Sequence, residues 1–299
     1  VLDSLTREKQ MKDADLIFST DFLYDRDSPW VLDILDSPFC LGGNNYDIFV
    51  KNKGRIEKIL ERNNCKRIIC AHETSFDFMR KEFSKKVKEK LILIRPAIEV
   101  PVLKEKEKSD VVKMLFVGSI NNPKDFYVKG GLDVLRVLEK IQEERRIKLI
   151  MRCFIPEELR GRVERNKDIE ILDEKISFEK LYELYRNSDI LFLPSHQYVL
   201  MAVLEAMSFE LPIVTLDTYA VKDYVKDGYN GIVVKKSNKI KSYKDKSYPT
   251  NTKSDFFMGE IVNEDKELIK RLSEKIIFLI DNEKVRERLG KNGRKTIKD

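Results

Sequence analysis

Residues 188–208 read Ser-Asp-Ile-Leu-Phe-Leu-Pro-Ser-His-Gln-Tyr-Val-Leu-Met-Ala-Val-Leu-Glu-Ala-Met-Ser. Ile190–Leu193 is a short, wholly apolar run, the pattern of a strand buried on both faces of a parallel sheet. Pro194-Ser195 stops it. From Val199 onward the chain is apolar nearly all round, as a buried helix would be. A strand that passes through a Ser-bearing loop into a helix gathers unpaired N–H groups and the positive end of a helix dipole, which suits an anion. Glu205 places a charge inside the apolar segment, and a buried carboxylate needs a hydrogen-bonding partner.

The same alternation extends to both sides. After it come apolar strands at Pro212–Thr215 and Gly231–Val234; before it, Val111–Val117 (ending at Gly118), Lys148–Met151 and Ile169–Leu172. A loop over Ser119–Val128 leads to Lys129-Gly130-Gly131 and a helix carrying Leu132, Leu135, Leu138 and Ile141. Ile269, Leu272, Ile276 and Leu279-Ile280 mark an amphipathic helix, and Asn282–Lys298 a further one. Nearer the start, Leu16–Ser19, Trp30–Ile34, Arg67–Cys70 and Leu91–Ile94 read as strands, with helices over Ile48–Asn63 and Ser75–Phe83. Strands alternating with helices predict an α/β fold with doubly wound parallel sheets, whose ligands sit beyond the carboxyl ends of the strands. Pro96, Pro101 and the run Lys104–Lys108 separate a first domain (1–100) by a linker (101–110) from a second (111–299).

A chain of 299 residues, 42% apolar and 36% charged with both signs mixed, is a globular protein rather than a disordered one. It holds no apolar run near the ~20 residues that span a bilayer. The opening residues lack the apolar core of a signal peptide, so a cytoplasmic location is expected. The four cysteines have no zinc-like spacing and only two histidines accompany them, so free buried thiols are expected, and no metal site. The net charge of +6 is concentrated: residues 235–253 hold seven Lys and one Asp. Without periodicity, that stretch reads as a solvated, mobile loop. Its charge also suits an acidic membrane surface, with peripheral attachment, or a phosphorylated acceptor. No motif points to nucleic acid.

Pro194-Ser195, Glu205-Ala206-Met207 and Leu211-Pro212-Ile213-Val214 together resemble the nucleotide-sugar signature of family 4 (group 1) retaining glycosyltransferases. The resemblance is good over 111–235 and 265–298 and weak over 15–100. It implies a GT-B fold, two Rossmann-like domains facing each other across a cleft. It also implies sugar transfer from a nucleotide-diphosphate sugar to a glycan, lipid or small acceptor, with retention and without a metal or other cofactor. Only about four strands are visible in 1–100 and no Met opens the chain, so the N-terminal domain is expected to be short or truncated.

Residue by residue, the resemblance places Glu205 on the nucleotide ribose and Lys129 on the diphosphate, with Gly118 and Ser195 lining the donor site. The arginine usual after the strand-ending glycine is Ser119 here, with Lys124 as a substitute. The first Glu of the family's Glu-x7-Glu motif is Gln197, which can hydrogen-bond a sugar but cannot act as a base. The strand that often ends in a catalytic histidine has Leu35, with Asp36 the nearest polar group. Gln197, His196 and Asp36 are therefore the candidate catalytic residues, and His72 a candidate lining residue. Ser119, Leu35 and Gln197 together also suit an alternative, a non-catalytic nucleotide-sugar-binding protein of the same fold.

Overall fold

The computed structural model describes residues 14–106, 109–244, 247–249, 251–252 and 254–298. The opening residues 1–13 lie outside that set, as do Lys108 of the linker run and Asp245, Lys246 and Lys253 of the basic stretch. The chain divides into two units, Val1–Ala97 with Ser242–Ser254, and Ile98–Lys241 with Asp255–Asp299.

In the first unit the elements are β1 (Ile17–Thr20), β2 (Trp30–Ile34), a 3-10 turn (Pro38–Gly42), α1 (Tyr46–Glu61), β3 (Cys65–Cys70), α2 (Glu73–Glu82), α3 (Lys85–Lys88) and β4 (Leu91–Leu93). They form a four-stranded sheet, order β1-β2-β3-β4, with every pair parallel. β2 is buried along almost its whole length, which is why its apolar run marks it so clearly. The α1 helix begins where Asn45 Oδ1 accepts the Ile48 N–H at 3.1 Å, and Asp47 and Lys58 complement the two ends of its dipole.

An aromatic cluster packs around the 3-10 turn after β2. The Phe39 ring meets Phe49 at 5.2 Å and Phe78 at 5.1 Å, both edge-on. Tyr248 joins it, 4.7 Å from Phe39 and only 3% exposed. Asn251 bridges to Asn45, and Tyr243 to Pro249. The expected solvated loop over 235–253 is therefore corrected: burial of Tyr248 and these backbone pairings dock its second half onto the first unit. Its first half is anchored as well, because buried Ser237 donates to Asp265 Oδ2 at 2.5 Å and Ile240 is buried.

The second unit contains β5 (Val112–Val117), α4 (Pro123–Val128), α5 (Gly131–Gln142), β6 (Ile147–Arg152), α6 (Glu157–Glu164), β7 (Ile169–Ile171), α7 (Phe178–Asn187), β8 (Ile190–Leu193), α8 (Met201–Ser208), β9 (Ile213–Leu216), α9 (Val221–Tyr224), β10 (Gly231–Val234), α10 (Asp255–Val262), α11 (Lys266–Asp281) and α12 (Glu283–Lys298). The sheet order is β10-β9-β8-β5-β6-β7, again all parallel. Met114, Leu115 and Phe116 of β5, Leu191 and Phe192 of β8, and Leu135 and Leu138 of α5 are buried in one core with Leu272 and Ile276 of α11. The loop expected over Ser119–Val128 contains a helix, α4. Asn122 caps it by accepting the Lys124 N–H at 3.0 Å, and Pro123 occupies the first turn, where its missing N–H costs nothing. All four cysteines are free and buried, as expected, and burial pushes the Cys153 thiol up to about 12.

Candidate functional site

The second unit's sheet runs outward from β5 in two directions, through β6 to β7 and through β8 to β10. The chain order reverses between β5 and β8, and the carboxyl ends of those strands form the crevice where such sheets take ligands. Gly118, Ser119 and Pro194–Gln197 all lie just beyond those ends.

Two loops are clamped together there. The Val128 carbonyl accepts the His196 N–H at 2.9 Å and the Ser195 hydroxyl at 3.4 Å. Gly130, at φ 84, lies so near that a Cβ would stand 2.2 Å from the Pro194 carbonyl oxygen. Only glycine fits that conformation and that approach. Thr218 Oγ1 donates to the Ser195 carbonyl at 3.3 Å and braces the loop from the β9 side. Neither α5, which starts directly after Gly130, nor α8, which starts at Met201 after Leu200, has a side-chain cap, so the first-turn N–H groups of both are not used by a capping side chain.

Lys129 ends α4 and is half-buried; burial draws its ammonium below the usual lysine range. The Arg152 guanidinium beside it lowers it further, while Asp125 works in the opposite sense. Arg152 closes β6, directly opposite Val117 in the register with β5. Its Nη1 donates to the Gly118 carbonyl at 3.1 Å, and its backbone carbonyl accepts the Gly118 N–H at 2.8 Å.

Glu205 lies on α8, partly buried. Burial raises its carboxyl above the ordinary range, and the Tyr185 hydroxyl and Arg152 offset part of that rise. The partner its burial calls for is supplied within the protein. Fully buried Tyr185, from α7, donates to Glu205 Oε2 at 2.7 Å and stacks on Phe209 with ring centroids 5.8 Å apart.

Several expected site residues have internal duties. Ser195 is fully buried, and its hydroxyl both donates to Val128 and accepts the Gln197 N–H at 3.3 Å. The His196 ring is 2% exposed, with Nε2 2.9 Å from Asp133 Oδ2 on α5. That buried pair ties the strand-end loop to the helix. Ser119 Oγ accepts the Asn121 N–H at 3.2 Å. Lys124 is exposed and lies 3.8 Å from Asp255, a surface pair rather than part of the crevice. Arg152 and Tyr185 escaped the sequence reading. The only sign of Arg152 was a cation immediately after an apolar strand.

Asp36 and His72 belong to the first unit. Asp36 lies just beyond β2, and burial with the nearby Asp21 charge pushes its carboxyl up to about 7. Its Oδ1 is buried without a hydrogen-bond partner. Asp21 Oδ1 accepts the Leu35 N–H at 2.9 Å and the Asp36 N–H at 3.4 Å. His72 is fully buried and its Nε2 donates to the Leu35 carbonyl at 2.7 Å, so it braces the end of β2. Among the described residues no group of His, Cys, Asp and Glu could hold a metal ion, and no helix is long and apolar enough to cross a membrane.

Residues 111–246 match the family described as Glycosyl transferases group 1. A curated relative, an uncharacterized glycosyltransferase of Methanocaldococcus jannaschii, is 25% identical over 253 residues, covering 83% of this chain. The chain spans 59% of that relative's length. Among solved structures, sucrose-phosphate synthase from Thermosynechococcus elongatus superposes with a TM-score of 0.64 at 16% identity, over 96% of this chain and 70% of its own. A variant of S. aureus TarM, in complex with fondaparinux, alpha-GlcNAc-glycerol and UDP, gives 0.62 at 13%, covering 91% and 48%. Anabaena HepE with UDP-glucose gives 0.61 at 13%, covering 90% and 67%. The architecture is GT-B, with two Rossmann-like units, and the sequence matches support the glycosyltransferase superfamily.

Proposed function

We propose that the chain transfers a sugar from a nucleotide-diphosphate sugar to a glycan, lipid or small acceptor, with retention of configuration. The observation that supports this reading is that Arg152, anchored on the Gly118 carbonyl at the end of β5, lies within electrostatic reach of both Lys129 and Glu205, while α5 starts without a side-chain cap directly after Lys129-Gly130. A cation and helix N-termini neutralise a diphosphate; a carboxylate with a free oxygen accepts a ribose hydroxyl. Two of the structural neighbours were solved with UDP or UDP-glucose, and the 111–246 match is to a glycosyltransferase family.

In this reading Glu205 holds the ribose, with Tyr185 fixing the orientation of its carboxylate. Lys129 stabilises charge on the leaving diphosphate, so the protein supplies that charge itself and no metal is called for. The loop at Ser195–Gln197 borders the sugar, with Gln197 offering an amide rather than a base. A front-face attack with the donor phosphate as base needs no protein carboxylate at that position. The exposed Lys235 and Lys241 would meet an acidic membrane surface carrying the acceptor.

The test is a thermal-shift panel of UDP, GDP, ADP and their sugar conjugates, followed by hydrolysis of any conjugate that binds. A stabilising conjugate that is slowly hydrolysed is expected. No shift with any of them refutes the donor site. Saturable binding without turnover, even with acceptors supplied, would select the non-catalytic binding protein, which Ser119, Leu35 and Gln197 favour.

A further inference from the structure

Arg152 is the most conspicuous unused group in the molecule. Its Nε is buried without a hydrogen-bond partner. Among the described residues neither Arg152 nor Lys129 forms a side-chain ion pair within 4.0 Å, although each is partly withdrawn from water. Lys129 and Arg152 are two partly buried cations within electrostatic reach of each other: burial draws the Lys129 ammonium down, Asp125 counters that, and Arg152 lowers it further. Such a pair is costly unless an anion comes between its members. The carboxylate that senses Arg152, Glu205, is already tied to Tyr185.

We propose that Arg152 and Lys129 form a two-cation clamp for the donor's diphosphate, with Arg152 supplying from β6 the guanidinium that position 119 lacks. The inference rests on the donor-site reading above and specifies which groups hold the phosphates. The register makes the relocation geometrically simple. Arg152 pairs with Val117, and its Nη1 sits on the carbonyl of Gly118, the residue just before Ser119. The guanidinium thus reaches the end of β5 from the neighbouring strand, anchored by one N–H and with its other terminal N–H groups left to donate to a phosphate oxygen. A planar fork anchored at one side and open at another suits a bridging diphosphate better than a mobile ammonium would.

The clamp is tested by calorimetric titration of the wild type, Arg152→Met, Arg152→Lys and Lys129→Met with inorganic pyrophosphate. The same proteins are then titrated with UDP, GDP and ADP and with the three parent nucleosides, with melting temperatures as a folding control. Arg152→Met should lose about tenfold to hundredfold in pyrophosphate and nucleoside-diphosphate affinity. Nucleoside affinity should stay unchanged, and Arg152→Lys should recover part of the loss. Adding Lys129→Met to Arg152→Met should cost less than the two single losses combined, because both act on one ligand.

Equal pyrophosphate affinity in wild type and Arg152→Met overturns the clamp, as does a loss shared equally by nucleosides, which would mark a structural role. Nucleoside diphosphates that bind Arg152→Met undiminished refute the role of Arg152 while leaving the donor-site reading standing. Failure of every nucleoside diphosphate to bind the wild type refutes both.

Discussion

Replacing Asp36 by Asn should make the first unit's stability less sensitive to a rise in pH between about 4 and 7. Asp36 has a folded-state carboxyl pushed from 3.8 up to about 7, by burial first and by the Asp21 charge second. Linkage gives the sign. Between pH 4 and 7 the unfolded chain releases this proton while the folded chain retains it, so stability falls as pH rises and levels off above 7. A rise of roughly three pH units corresponds to about 4 kcal/mol at 1.4 kcal/mol per unit. Partial exposure of Asp36 trims this to roughly 2–4 kcal/mol. The amide introduced by Asp36→Asn cannot ionise and escapes that loss. The other groups at this end of the sheet, Asp21, Asp33 and Cys40, titrate in both proteins and largely cancel in the difference. The assay has a natural reporter: Trp30, the chain's single tryptophan, is fully buried in β2, so its fluorescence tracks the first unit. Urea unfolding of both proteins at pH 4, 6 and 8 should show the variant gaining on the wild type by about 2–4 kcal/mol across that range. A difference that stays constant with pH, or that grows toward acid, refutes the reasoning.

Glu205→Gln should weaken nucleotide binding by about 1–3 kcal/mol, the cost of disrupting a buried or charged hydrogen bond; unchanged affinity in calorimetry removes Glu205 from the ribose. Gly130→Ala forces a left-handed conformation worth about 1–2 kcal/mol and a clash with the Pro194 carbonyl worth about 1–3 more, so denaturation monitored by circular dichroism should show a loss of about 2–5 kcal/mol. Wild-type stability would contradict the close approach. If Lys235 and Lys241 meet acidic lipid at about 1 kcal/mol each, replacing both by Gln should reduce binding to phosphatidylserine vesicles by about 30-fold in sedimentation, and unaltered binding removes the membrane contact.

Strand positions were the most legible part of the chain, for a physical reason. A strand covered on both faces must be apolar without interruption, and Trp30–Ile34, Ile190–Leu193 and Gly231–Val234 have the bounds their composition suggested. The α4 helix was hidden because Asn122-Pro123 is equally good chemistry for a turn and for a helix start; burial of Phe126 and Val128 decides between them. The basic stretch misled in the opposite sense. Its lack of periodicity described its backbone correctly, but its anchor is one aromatic ring, Tyr248, packed on Phe39 far away in sequence.

The site was legible where its chemistry is local and obscure where it is assembled from distant strands. Glu205 announced itself as a charge in an apolar helix, but its partner Tyr185 lies on the preceding helix, a pairing that no sequence spacing requires. Ser119 read as a missing cation because, along the chain, the neighbour of Gly118 carries no charge. A parallel sheet also sets a residue of the next strand beside that glycine: Arg152 comes 34 positions later and donates to its carbonyl. In the proposed clamp the positive charge at the crevice is delivered from β6 rather than from β5, a substitution that strand register permits and that spacing along the chain does not reveal.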